Sequence, residues 1–120
     1  MYIDEIEELF ISRMGVTASF PFGEQTLVYK VGEKVFMLCG LDEHPLRMNL
    51  KAIPEKVLEY QEQYSACIPA YHMNKKHWFT VILDGSVSRK QLIQMMEDSY
   101  LLVGNALPKK VKETIHWENK

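Results

Sequence analysis

The segment Leu46-Arg47-Met48-Asn49-Leu50-Lys51 alternates apolar and polar residues without a break. Strand side chains point alternately to opposite faces, so this pattern predicts a strand with Leu46, Met48 and Leu50 on a core and Arg47, Asn49 and Lys51 in water. A chain containing it must build a sheet with one face packed and the other open.

The surrounding segments supply that sheet. Thr26–Val31 and residues 34–41 are rich in β-branched and aromatic residues, and Gly32-Glu33 between them predicts a type II′ hairpin. Residues 78–83 form a further strand, and residues 65–77 an ordered loop with a short edge strand within 68–72. Phe20-Pro21-Phe22-Gly23 is a turn with two aromatic anchors leading into the sheet.

Helical spacing flanks these strands. Ile3, Ile6, Leu9, Phe10 and Met14 make one stripe of a helix over 3–14 that stops at Gly15. Pro54 opens a second helix to about Tyr64, with Val57, Leu58 and Gln61 on one side. Ser88 and Gln91 form a capping box for a longer helix that buries Leu92, Met96, Tyr100 and Val103 and ends within 104–108. Val111 and Ile115 lie on a last short helix. The expectation is a two-layer α+β sandwich with an antiparallel sheet of four or five strands and the helices on one face. At 120 residues, the chain reads as a single domain over 1–120.

Apolar residues make up 47% and charged residues 25%, the balance of a globular protein. Apolar runs such as Val81-Ile82-Leu83 are far too short to cross a bilayer, and the acidic start Asp4-Glu5-Ile6-Glu7-Glu8 is unlike a secretory signal. The expected location is the cytoplasm. Cys39 and Cys67 form no disulfide framework, and Cys39 reads as a small core residue.

The formal net charge of −2 argues against a generally basic surface, but cations gather at Lys75 and Lys76 and at Lys109, Lys110 and Lys112. The block Tyr71-His72-Met73-Asn74-Lys75-Lys76-His77-Trp78 combines cations for phosphates, an amide for base or sugar edges and aromatics for stacking. The plainer alternative is that Tyr71, His72 and Asn74 hold the loop together and Trp78 fills the core. Arg47, Asn49 and Lys51 stand roughly 6 to 7 Å apart along one face, a row that could track a phosphate backbone or simply be solvated. Lys109, Lys110 and Lys112 begin a short helix, where the dipole disfavours cations unless an anion compensates; a solvated terminal helix is the plainer reading.

Cys67, His72 and His77 lack the further spaced pair that a zinc pattern needs, so no metal is expected. No nucleophile elbow, phosphate-cradling glycine loop or zinc-protease motif occurs, and no catalytic residue or cofactor is assigned. In an enzyme built from distant residues, Tyr71, His72 and His77 would be the acid-base candidates.

Five stretches together resemble the MmcQ/YjbR family of small bacterial proteins: Phe20-Pro21-Phe22-Gly23, Asn49-Leu50-Lys51, the block from Tyr71 to Trp78, Ser99-Tyr100-Leu101-Leu102-Val103 and Leu107-Pro108-Lys109-Lys110. The resemblance spans about 3–115 and implies a frataxin-like (CyaY-like) fold and a role in DNA binding. It also invites comparison of Asp4, Glu5, Glu7 and Glu8 with the iron-binding acidic helix of frataxins, although the helix dipole alone accounts for acids in a first turn. The leading expectation is non-enzymatic binding of DNA or another nucleic acid through Arg47, Asn49, Lys51, Tyr71, His72, Asn74, Lys75, Lys76, Lys109 and Lys110. The alternative is a small-molecule or protein-binding module using the same open sheet face.

Overall fold

The computed structural model describes residues 1–118. Its strands are β1 (Val16–Ser19), β2 (Thr26–Val31), β3 (Lys34–Gly40), β4 (Arg47–Lys51), β5 (Cys67–Pro69) and β6 (Trp78–Ile82). They form one sheet in the order β1-β2-β3-β4-β6-β5, antiparallel at every pairing. Its helices are α1 (Ile3–Phe10), α2 (Pro54–Gln63), α3 (Arg89–Asn105) and α4 (Lys109–Thr114). No helix among the described residues is long and apolar enough to cross a membrane.

The α+β architecture agrees with expectation, but the sheet has six strands rather than four or five. The addition is β1, whose Val-Thr-Ala-Ser is too short and too small to declare itself. The free edge of β2 recruits it, and Val16 and Ala18 then pack on the core. At the opposite edge β5 occupies Cys67–Pro69, slightly earlier than the expected 68–72.

The alternation in β4 is realised: Met48 and Leu50 are buried, while Arg47, Asn49 and Lys51 are half-buried. Register carries it across the sheet. Met37, Leu50 and Phe79 stand in line on one face, and Leu38, Asn49, Thr80 and Ile68 on the other. All helices cover the first face. Ile6 and Phe10 come from α1, Val57 and Tyr60 from α2, and Leu92, Met96, Tyr100 and Val103 from α3. Trp117, after α4, packs edge-on against Tyr100 at 5.1 Å between ring centres.

Between β2 and β3 the register slips, with Tyr29 opposite Met37 but Lys30 opposite Val35, so Phe36 is an extra residue in a bulge. The bulge lets Phe36 enter the core beside Met37, within 5.9 Å of Phe10 and 5.4 Å of Tyr100 between ring centres. Ser99, fully buried on α3, donates its hydroxyl to the Phe36 carbonyl at 2.6 Å and accepts the Lys51 backbone N–H at 2.9 Å. One hydroxyl thus satisfies two backbone groups that the ladder leaves over.

Two local expectations are corrected. Gly32 and Glu33 both have positive φ, 53° and 74°, which makes the hairpin turn type I′ rather than II′. Type I′ matches the twist of the strands, and Gly32 lies so close to Leu107 and Val111 that a Cβ would clash. The first helix ends at Phe10 and not at Met14, which is 47% exposed. Arg13 in the following turn forms a two-pronged ion pair with Glu97 and lies over the Tyr100 ring at 4.6 Å, anchoring that turn to α3.

Candidate functional site

The face of the sheet that no helix covers is a cleft of about 520 Å³. Its floor is built by register: Leu38 of β3, Asn49 of β4, Thr80 of β6 and Ile68 of β5 are adjacent across four strands. Two connections rise over that floor. The loop after β1 contributes Phe22, and the loop between β5 and β6 contributes Tyr71, His72 and Met73. Phe22 is 74% and Tyr71 65% exposed, among the most solvent-accessible large apolar side chains of the protein. The Pro21-Phe22-Gly23 turn and the irregular loop hold these rings away from the core.

The polar groups of the floor are paired with one another. Thr80 donates its hydroxyl to Asn49 Oδ1 at 2.5 Å, and Asn49 Nδ2 approaches the Met73 sulfur at 3.5 Å. At one end Arg47 pairs with Glu43 at 3.2 Å, and the Glu43 carboxylate lies over Gly40, where any Cβ would displace it. At the rim the Lys75 ammonium sits 5.7 Å from the centre of the Tyr71 ring, a cation–π contact that presents positive charge and an aromatic face together.

Of the ten residues singled out from sequence, Arg47, Asn49, Tyr71 and His72 line this cleft, and Lys75 reaches it through Tyr71. Lys51 lies in a neighbouring groove with Lys34, Trp78 and Pro108, its ammonium 6.0 Å from the Trp78 ring centre. Val35 lines both depressions, so they adjoin. Asn74 builds the loop: its side chain accepts the Lys76 N–H at 3.0 Å, and its carbonyl accepts the backbone N–H groups of His77 and Trp78. Lys76 is exposed on that loop. Lys109 and Lys110 open α4 directly after Pro108, and the Lys109 side chain lines a separate depression with Glu113 and His116. Cys67 belongs to the core and His72 to the cleft, on opposite faces of the sheet.

Sequence reasoning did not assign Phe22, Leu38, Ile68, Thr80 or Glu43 to a site. Phe20 and Phe22 were expected to anchor their turn, but both rings are exposed, and Phe22 turns to the cleft instead. The floor residues carried no signal, because their meeting depends on strand register.

The sequence profile of the YjbR family matches residues 12–102. YbdF of Escherichia coli O157:H7, described as uncharacterised, is 37% identical over 100 residues, covering 83% of this chain and 82% of that protein. YjbR of Escherichia coli K12, likewise described, is 29% identical over 115 residues, covering 96% and 98%. The crystal structure of a Deinococcus radiodurans protein with a DUF419 domain superposes with a TM-score of 0.90 at 33% identity, covering 98% of this chain and 90% of that one. A Pseudomonas syringae protein of known crystal structure gives a TM-score of 0.72 at 25% identity, covering 86% and 99%. With its profile match running from the turn after α1 into α3, and with relatives alike in sequence over most of both chains, this protein belongs to the YjbR family.

Proposed function

We propose that the protein is a non-enzymatic module that binds nucleic acid, DNA in the first instance, through the uncovered face of its sheet. The carrying observation is that Arg47 and Asn49 from β4 meet Tyr71 and His72 from a loop some twenty residues later in one cleft, with Lys75 poised at its rim. Charge is distributed to match. The acids Asp4, Glu5, Glu7 and Glu8 of α1 and Glu55, Glu59 and Glu62 of α2 lie on helices behind the sheet, where α2 and α3 also carry Lys56, Arg89 and Lys90. By contrast, Lys34 and Lys51 line the adjoining groove, Lys75 stands over Tyr71 at the cleft rim and Lys76 is exposed on the same loop. Within the cleft Glu43 offsets Arg47, so the attraction for a polyanion comes from the lysines at its rim and in the adjoining groove.

The test is a titration of labelled DNA and RNA at two salt concentrations, wild type against a Lys75→Ala, Lys76→Ala double variant. Affinity should fall with salt, and the variant should bind unrelated sequences more weakly with a shallower salt slope, because phosphate contacts release counterions and carry no sequence information. No binding at low salt, or equal binding by the variant, defeats the proposal. A second reading, a neutral small molecule in the same cleft, is favoured by its concavity and by the neutralisation of Arg47 by Glu43; such binding would be insensitive to salt.

A further inference from the structure

We infer that the cleft is a slot for one planar heteroaromatic ring, the base of an unpaired nucleotide; this deepens the nucleic-acid reading and rests on it. The floor is chemically mixed in a way that selects such a ring. Leu38 and Ile68 offer apolar surface at its two sides, and the hydrogen-bonded Asn49–Thr80 pair lies between them. An amide has two N–H donors and an oxygen with two lone pairs, so the bond from Thr80 and the long contact to Met73 use only part of the capacity of Asn49. A purely aliphatic ligand would leave the remaining capacity of that amide unmet, and a sugar or phosphate alone would leave Leu38 and Ile68 wet. A nucleobase has both a flat apolar face and a polar edge.

The walls agree with the floor. Phe22 and Tyr71 are exposed rings lining the same cleft from different loops, and aromatic side chains are the surfaces on which unpaired bases stack. Lys75 beside Tyr71, together with Lys34 and Lys51 in the groove that continues past Val35, places cations outside the slot, where the phosphates on either side of a seated base would run. The volume of about 520 Å³ lies within the roughly 300–1,000 Å³ of ligand pockets. A base stacked in a duplex hides both of its flat faces, so the occupant must be single-stranded or extruded.

The experiment compares a single-stranded oligonucleotide with an abasic sugar–phosphate chain of equal length and charge, using wild type and a Phe22→Ala, Tyr71→Ala double variant at one low salt concentration. A nucleoside monophosphate is titrated in parallel and followed by amide NMR shifts. The base-bearing strand should bind wild type about tenfold more tightly than the abasic one, the stacking contribution of a base or so. The variant should bind both strands alike, at the abasic affinity. Equal binding of the two strands by wild type overturns the slot while leaving nucleic-acid binding in place. Binding of neither strand, with nucleoside-induced shifts at Asn49 and Thr80, retains the slot and defeats the nucleic-acid reading; silence in every arm defeats both. Both substituted side chains are exposed, so a far-UV spectrum unchanged from wild type is expected.

Discussion

The two faces of the sheet are made by the same strands and obey the same alternation, yet they have opposite characters. On the helix-covered face Phe36, Met37, Leu50, Phe79 and Val81 are almost wholly buried, and the stray backbone groups of the bulge meet Ser99. On the uncovered face Asn49 and Arg47 are half-buried, and Phe22 and Tyr71 stand in water. A face that only had to be solvated would need neither ring. If the uncovered face serves recognition as proposed, substitutions of its exposed rings should leave stability almost unchanged, whereas substitutions on the covered face should not.

The largest break comes from Phe36→Ala, which empties the centre of the aromatic cluster and should cost about 3–5 kcal/mol in chemical denaturation. On the other face, Tyr71→Ala should change stability by no more than about 0.5 kcal/mol. Next in size, Ser99→Ala leaves the Phe36 carbonyl and the Lys51 N–H buried without their partner and should cost about 1–3 kcal/mol. Smaller, and of opposite sign, Glu33→Asn should stabilise by up to about 1 kcal/mol, because Glu33 sits at φ 74° and asparagine tolerates that region better; a lower melting temperature would contradict the type I′ turn.

The smallest effect is chemical. Burial pushes the Cys39 thiol up to about 12 and the Cys67 thiol up to about 11, so in the folded state both stay protonated at neutral pH. Since these folded values lie above that of an unfolded thiol, about 8.5, their contribution to stability is complete below that pH and is lost as pH rises towards 11 and 12. Neither thiol should react with iodoacetamide at pH 8 until denaturant is added, and rapid alkylation of the native protein would contradict the placement of both cysteines on the covered face.

What the sequence determined by itself was much of what depends on neighbours along the chain, although the turn type at Gly32-Glu33 and the end of α1, both local, differ from the sequence expectation. The period of two in β4 placed Met48 and Leu50 inward, and Gly32 marked the hairpin. Ser88 marked the start of α3, where its hydroxyl accepts the Gln91 N–H at 3.2 Å. Tyr71, His72, Arg47 and Asn49 were legible as candidates because their residue types offer charge, hydrogen bonds and stacking surface, although the same residues could equally have held a loop or been solvated.

What only the tertiary structure decided was everything that depends on register and on which edge was free. β1 forms on the unpaired backbone groups that β2 offers, and its four residues, β-branched at Val16 and Thr17, are too few to announce a strand by themselves. Phe36 shares the core with Met37 because a bulge shifts the phase, which an unbroken apolar run from Val35 to Leu38 cannot reveal. The cleft floor joins Leu38, Asn49, Thr80 and Ile68, which are distant in sequence and adjacent only through three antiparallel pairings. Lys109 and Lys110 were grouped with the row on β4 by charge, but the chain turns into α4 after Pro108 and points Lys109 elsewhere. Side-chain chemistry is local and can be read along a chain, whereas the meeting of side chains is set by long-range backbone pairing, which single residues do not encode.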